Sequence, residues 1–550
     1  MALLVDPPQR DSADEWPPAD VPTASDGTVA DEATASAVMT EQDVRPPEAA
    51  EPAADAQPAE SAEDAESAAP RLAEPPLTGG RVEALMGELI RVLSHSPLAR
   101  PLPAVLLSAL GLGGVAFVGL CATAPTPSVA TPPVLLPLTN FARNHGAPHL
   151  PDLVANLIMY ASVTLCCLGL AMLLWANSRG WSPSPRKVFA AAAGTVAVLV
   201  NITPVGSSDI ASYAAYGRIA ALGHNPYTYF PSMLPGGKSA NPYTLLVSPN
   251  PYTLLVSPYW QKTPSVYGPV ATWTQQFAAW IGGEKPWLTI WVLMIMFGAA
   301  FLAAGYILLR TAENPVRAVL LWTANPLLIV ELVLGGHLNA LLALAAIAAV
   351  VMSRRCTRLW HDLTVALLVG VAGAIKIDAV FVALAIAIPL IHDRDWGRLI
   401  RIGVVAGLTT FGLYIFSYGL VALQPLGSAS QMVISPTVWR ALQMAFGDGP
   451  VMTHIIGIVS WPLMLLLAWY LYNRLSPDVP TVVAATCALT FAWMVVAPWS
   501  LPWYSSIAWV TLALLPRNSL TRWLTLATGT LGLLHFNGGH PTNVQIGPVP

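Results

Sequence analysis

The stretch Asn201-Ile-Thr-Pro-Val-Gly-Ser-Ser-Asp-Ile-Ala-Ser-Tyr-Ala-Ala-Tyr-Gly-Arg-Ile-Ala-Ala-Leu-Gly-His-Asn-Pro-Tyr227 decides how the chain is read. An apolar run, Val188 to Val200, ends where it begins, and Asp209 follows within ten residues of that end. Tyr213, Tyr216 and Arg218 come next, then a Gly-His-Asn-Pro-Tyr turn. If the residues after Asp209 are helical, Asp209, Tyr213 and Tyr216 share one stripe at spacings of four and seven. Ser207 and Ser208 suit a helix N-cap and can orient the carboxylate. Asp209 acting only as that cap is the competing structural explanation. A carboxylate at a membrane edge is expensive, so it marks a candidate site.

The membrane edge follows from composition. Hydrophobic residues make up 54% of the 550 and charged residues only 11%, with mean hydropathy +0.56. A soluble domain carries about 25% charge. The net charge of -4 conceals segregation: 18 of the 31 acids lie before residue 80, leaving 13 acids against 24 Lys and Arg in the remainder. Residues 1–80, rich in Ala, Pro, Glu and Asp, are expected to be a disordered cytoplasmic tail, because they cannot bury enough surface to offset ordering entropy. Residues 81–100 read as an amphipathic lead-in with Arg81, Arg91 and Arg100 toward the cytoplasm. No signal peptide is expected ahead of the tail. The five cysteines show neither metal spacing nor a disulfide framework, so no metal or cofactor is expected.

A span needs about 20 apolar residues. Runs at 102–123, 153–175, 188–204, 287–309, 316–334, 338–353, 362–376, 378–392, 400–423, 451–472, 480–498, 503–516 and 521–536 suggest about thirteen transmembrane helices, an all-α polytopic membrane protein. With the tail inside, each inner loop is basic, as in Arg186 and Lys187, Arg354 and Arg355, Arg398 and Arg401, or Arg517 and Arg522. That orientation puts Asp209, the long 205–286 loop, the 335–339 turn and Trp499 to Tyr504 outside the cytoplasm, with residues 541–550 as an outer tail. Within the long loop, Asn-Pro-Tyr-Thr-Leu-Leu-Val-Ser-Pro occurs twice in tandem, Asn241–Pro249 and Asn250–Pro258. Its Pro, Asn and Ser residues are expected to keep it a loop without a catalytic role.

Elimination then narrows the chemistry. Outside the tail, only Asp152, Asp209, Glu284, Glu331, Asp378 and Asp448 can reach the outer face. Asp152 suits a helix start, Glu284 reads as a solvated pair with Lys285, and Asp448 sits in a Gly-Asp-Gly turn. Glu331 and Asp378 lie near membrane depth beside possible partners His337 and Lys376. Thr263 to Pro269 is a turn that brings Tyr267 back toward the membrane, and Gly335 to Asn339 offers His337 and Asn339 as donors. Lys376 lies between two apolar runs and must face a polar cavity, a partner acid or an anion. Trp499, Trp503 and Tyr504 have the composition of an interfacial aromatic belt. In an inner loop, Asp393-Arg394-Asp395 reads as a solvated, salt-bridged loop and not as a nucleotide-sugar metal site.

Taken together, Ser207, Asp209, Ser212 and Tyr213; Gly223, Pro226 and Tyr227; Thr263, Pro264, Tyr267, Gly268 and Pro269; Asn325 to Leu328; and Gly335 with His337 form a specific combination. It resembles the actinobacterial polyprenol-phosphomannose-dependent α-1,6-mannosyltransferases, over roughly residues 100–540. The resemblance implies a GT-C type membrane glycosyltransferase with its long first outer loop carrying the catalytic acid. It implies mannose transfer from polyprenyl phosphomannose to an α-1,6-mannan acceptor of the lipomannan or lipoarabinomannan backbone, at the outer face of the plasma membrane. Asp209 is then the general base of an inverting reaction. Tyr213, Tyr216, Arg218, Tyr227, Lys262, Tyr267, His337, Asn339, Lys376, Trp503 and Tyr504 are the expected substrate-binding residues, with Arg218, Lys262, His337 and Lys376 the available cations for the leaving phosphate. Arg218 needs a helix break near Gly217 to reach the site and ranks below Lys376. The turn His337-Leu338-Asn339 departs from the family's usual His-Asn-Glu or His-Asn-Asp. Membrane lipids are expected partners and nucleic acid is not. A lipid or glycan transporter, or an inactive scaffold paralogue, are the alternatives from other classes.

Overall fold

Helices are dictated by long runs of Leu, Ala, Val and Ile, which satisfy their backbone groups internally and so suit an apolar surrounding. The computed structural model describes residues 101–121, 135–236, 250–354, 358–429, 432–434 and 437–535. The expected acidic tail, the 81–100 lead-in, the first repeat copy at 241–249 and the 541–550 tail lie outside the described residues. Among those described, every regular element is helical and there is no strand.

Six helices are long and apolar enough to cross a membrane: Pro101–Leu120, Leu153–Ser178, Pro286–Thr311, Pro315–Leu334, Trp396–Tyr418 and Pro450–Tyr472. Four more, Asn339–Ser353, Leu359–Gly373, Ile377–His392 and Thr481–Val496, are apolar but shorter. Proline begins many of these elements, at positions where its missing N–H costs nothing, including Pro101, Pro286, Pro315 and Pro450. Pro315–Leu334 is 89% buried and runs through the centre, whereas Trp396–Tyr418 and Pro450–Tyr472 are only 17% and 22% buried and form the periphery.

The central run is not one smooth helix. It breaks at Trp322–Asn325, where the Asn325 side chain accepts from the N–H groups of Leu327 and Leu328 and restarts the helix. It then widens into a π-helical turn, Ile329–Leu334. Such turns interrupt regular hydrogen bonding and are frequent at functional sites. This one delivers the chain to the Gly335-Gly336-His337 turn.

Small residues set the close approaches between helices, as is usual where lipid removes the hydrophobic drive for association. A Cβ on Gly111 would stand 2.6 Å from the Cys166 Sγ, and one on Gly169 would stand 2.7 Å from the Ser108 N. The Asp209–Ala221 and Pro269–Gly282 helices pack against each other with Gly217 against the Gln275 carbonyl. On another face, Asp362 is buried and takes Arg398 at 2.6 Å and Arg401 at 2.9 Å, tying the Leu359–Gly373 helix to Trp396–Tyr418. The arginines beside Asp393-Arg394-Asp395 are therefore committed to Asp362. Asp395 itself caps the next helix by accepting from the Arg398 N–H.

The second repeat copy departs from the loop expected of it. Asn250 caps a short helix, Pro251–Leu255, by accepting from the Tyr252 N–H, and Tyr252, Leu255 and Val256 are buried. The Tyr252 hydroxyl donates to the Gly283 carbonyl at 2.8 Å and lies 2.7 Å from the Thr289 hydroxyl. Apolar side chains with a place to pack outweigh the local turn signals.

Candidate active site

Three backbone seams gather distant segments around Asp209. The Val205 N–H donates to the Leu334 carbonyl at 3.0 Å, holding the approach to Asp209 against the end of the π turn. The Gly268 and Val270 N–H groups donate to the carbonyls of Ile375 and Ala374, holding the Tyr267 turn against the Lys376 segment. The Ser265 N–H donates to the Pro226 carbonyl at 2.8 Å, so the two loop turns close on each other.

Asp209 is the first residue of the helix Asp209–Ala221. Its N–H donates to the Ser207 hydroxyl at 3.1 Å, while Ser208 stands at the N-cap position without a side-chain capping bond, so Asp209 is the first helical residue and not the cap. The carboxylate stays 28% exposed on its side chain, and the Tyr213 hydroxyl donates to its Oδ2 at 3.3 Å. Tyr213 is 1% exposed and Tyr216 is 4% exposed, so neither ring is an open platform for a sugar. Tyr213 packs edge-on to Tyr267 at 5.0 Å, and the Tyr216 hydroxyl donates to the Thr263 carbonyl at 2.9 Å. The stripe expected from helical spacing therefore exists, but it holds the carboxylate and the Tyr267 turn. Tyr227 also supports that turn, donating to the Tyr267 carbonyl at 2.7 Å.

His337 enters from the opposite side. It is 1% exposed and stacks on Trp503 with ring centroids 3.7 Å apart. Its Nδ1 meets the Glu331 carbonyl. A carbonyl only accepts, so Nδ1 carries the proton and Nε2 presents a lone pair. Nε2 lies 3.9 Å from Asp209 Oδ2. Burial first, and the nearby Lys376 charge, push the imidazole pKa down to about 3, although its hydrogen bond to Glu331 acts the other way. His337 is therefore neutral, which corrects its place among the phosphate-binding cations: it neither pairs ionically with Asp209 nor supplies positive charge. Nor is Nε2 a donor, as the sequence reading had it.

Lys376 supplies that charge. Its side chain is 11% exposed, its Nζ is 3.1 Å from Asp378 Oδ2 and sits 3.4 Å above the Tyr504 ring centroid. Burial alone works against the ammonium, but Asp378 and Tyr504 more than offset it and hold its pKa above the usual lysine value. The ammonium's field also reaches Asp209 and opposes the burial that pushes that carboxyl up to about 6. Trp503 and Tyr504 thus back His337 and Lys376 and do not form an interfacial belt. Asp378, which the sequence placed only as a possible partner of Lys376, is part of this group.

The other expected residues lie elsewhere. The helix runs through Gly217 without a break, so Arg218 faces away, paired with Glu284 and 6.0 Å from the Tyr252 ring centroid. That pairing also replaces the expected Glu284–Lys285 pair. Lys262 is exposed. Asn339 is 2% exposed and begins the helix Asn339–Ser353. Among the described residues no group of three or more His, Cys, Asp and Glu is arranged to hold a metal ion.

A family model described as "Alpha-(1->6)-mannopyranosyltransferase, N-terminal domain" matches residues 108–392, which include Asp209, Tyr267, His337 and Lys376. The chain belongs to the α-(1→6)-mannopyranosyltransferase family. Among its relatives, a protein of Mycolicibacterium smegmatis named as a probable α-(1→6)-mannopyranosyltransferase is 26% identical over 375 residues, 58% of this chain and 64% of that protein. α-(1→6)-Mannopyranosyltransferase A of Corynebacterium glutamicum is 25% identical over 151 residues, 27% of this chain and 28% of the relative. An α-(1→6)-mannopyranosyltransferase of Mycobacterium tuberculosis is 30% identical over 148 residues, 26% and 23% of the two chains. The chain therefore spans less than two thirds of the length of each of these relatives. No solved structure matches it. Trp503 and Tyr504, which pack against His337 and Lys376, fall outside the stretch matched by the family model.

Proposed function

We propose that this chain is a GT-C type glycosyltransferase of the plasma membrane. It transfers mannose from polyprenyl phosphomannose to an α-1,6-mannan acceptor on the extracytoplasmic side. The observation that carries the proposal is a carboxylate, Asp209, held by Tyr213 across from a buried ammonium, Lys376, in a group assembled from three separate segments. A general base and a cation for the leaving group are the two components that displacement of a phosphate at a sugar carbon requires.

In this reading Asp209 takes the proton of the acceptor hydroxyl as that oxygen bonds to the anomeric carbon. The bond from that carbon to the phosphate oxygen breaks, and its electron pair leaves with polyprenyl phosphate. Attack opposite the leaving group inverts a β-mannosyl donor to an α product. Lys376 meets the charge that grows on the phosphate, and Asp378 with Tyr504 holds the ammonium in place. Thirteen crossings with a cytoplasmic N-terminus fit this assignment, since the basic loops then lie on the side opposite Asp209.

The decisive assay measures mannose transfer from polyprenyl phosphomannose to a short α-1,6-mannoside in membranes. Asp209→Asn is expected to lower the rate about 10²–10⁴-fold. Robust transfer by that variant sinks Asp209 as the base, and no transfer by the wild type sinks the proposed activity.

A further inference from the structure

A base that takes a proton must be able to keep it while the leaving group departs. Around Asp209, Tyr213 and Tyr216 from its own helix, Tyr267 from the loop turn and Tyr504 all bring hydroxyl groups, and Lys376 brings a positive charge. Lys376 and the Tyr213 hydroxyl favour the charged carboxylate. The Asp378 carboxylate is committed to Lys376, and a Cβ at Gly532 would stand 2.9 Å from Glu331 Oε1, placing that carboxyl against another helix. His337 Nε2 is different. It is buried, has no hydrogen-bond partner among the described residues, and is aimed at Asp209 Oδ2 from 3.9 Å. Its tautomer is fixed by the Glu331 carbonyl and its ring plane by Trp503.

We infer that His337 Nε2 is the acceptor for protonated Asp209, making His337 a positioning residue for the base. Two lone pairs facing each other repel while Asp209 is ionised. Once the acceptor oxygen has bonded to carbon and its proton has moved to Asp209, the new O–H points to Nε2 and the repulsion becomes a hydrogen bond. Bonding to the neutral form favours that form. The proton then leaves to water through the exposed side of Asp209, and the imidazole never has to charge. Glu331 takes part through its backbone carbonyl, which gives the π turn a purpose: it places a carbonyl where the His337 Nδ1–H needs one.

This inference rests on Asp209 being the base, but its test does not need turnover. The full chain in lipid nanodiscs is titrated by difference infrared spectroscopy. The protonated-carboxyl band missing from Asp209→Asn reports that residue alone. His337→Phe removes the acceptor and is expected to lower the Asp209 midpoint by about half to one pH unit. His337→Met, unbranched and adaptable in a core, gives the same reading if the phenylalanine variant does not fold. In the transfer assay the acid limb of the pH–rate profile should move with the infrared midpoint. An unchanged or raised midpoint in the phenylalanine and methionine variants overturns the inference. A wild type that titrates as described but transfers no mannose fails the proposed function and leaves the proton-acceptor role standing.

Discussion

At the scale of the residue, Asp209 combines two opposed requirements. Burial pushes its carboxyl up to about 6, while Lys376 and the Tyr213 hydroxyl pull it down and keep it ionised at neutral pH. Only the carboxylate can take a proton. As pH falls through about 6 the folded protein binds that proton, so transfer should decline about tenfold per unit below it and level off above. A pH profile of kcat/KM, which reports the groups of the free enzyme, checks this, and a profile flat from pH 7 to pH 5 contradicts it. Stability has the opposite sign. A folded-state value above the unfolded one means that ionising Asp209 costs the folded state, so that stability falls as pH rises through this range. Asp209→Asn should therefore melt no lower than wild type at neutral pH, separating lost chemistry from lost fold.

At the scale of the element, the site depends on places where a side chain would not fit. A Cβ on Gly268 would lie 2.2 Å from the Ala374 carbonyl oxygen, across the seam that sets Tyr267 against Lys376. Gly336 has φ +65° and faces Ile210 and Met294 at 2.5 and 2.8 Å, so both its conformation and its surroundings require glycine before His337. Gly268→Ala should destabilise the protein by about 1–3 kcal/mol through overpacking and reduce transfer by separating Lys376 from Asp209. Gly403, exposed in the Trp396–Tyr418 helix with nothing within 4 Å of its Cβ position, is the matched control. Gly403→Ala should be neutral or stabilising by up to about 1 kcal/mol. Thermal unfolding of both variants in detergent checks the pair, and equal melting temperatures contradict the account.

At the scale of the whole molecule, the tandem duplication is anchored through its second copy. One copy, Asn250–Pro258, is built into the fold through Asn250 and Tyr252. The Asn250 side chain also donates to the Pro235 carbonyl at 2.8 Å, so the chain between them starts and ends at one place. Removing nine residues leaves a single copy preceded by a shorter connection, and closure entropy changes by only about 0.6 kcal/mol per halving of length. Deleting Asn241–Pro249 should leave thermal stability and mannose transfer within about twofold of wild type. A deletion that abolishes either gives the first copy a role of its own.

What the sequence determined by itself is the helical, membrane-type architecture, because apolar runs of span length have few other solutions. Among the described residues six of the expected spans are helices long and apolar enough to cross a membrane and four more are shorter apolar helices, and the central one is broken at Asn325. Asp209 was legible as a candidate, because carboxylates are scarce in such a chain and each must be accounted for. The family motifs pointed to Tyr267 and His337, and the apolar runs on either side pointed to Lys376, yet the contacts each makes were not legible. Those contacts are of every range, from Lys376 with Asp378 two residues away to His337 with Trp503, which helical spacing alone does not encode. Only the tertiary structure decided that Arg218 turns to Glu284, that Tyr213 holds the carboxylate and that Lys376 is held by Asp378 and Tyr504. The protonation of His337 was likewise out of reach, since a lone pair is assigned only when the partner of the other ring nitrogen is known. Here that partner is the Glu331 carbonyl, freed by a π turn that no side chain in the sequence announces.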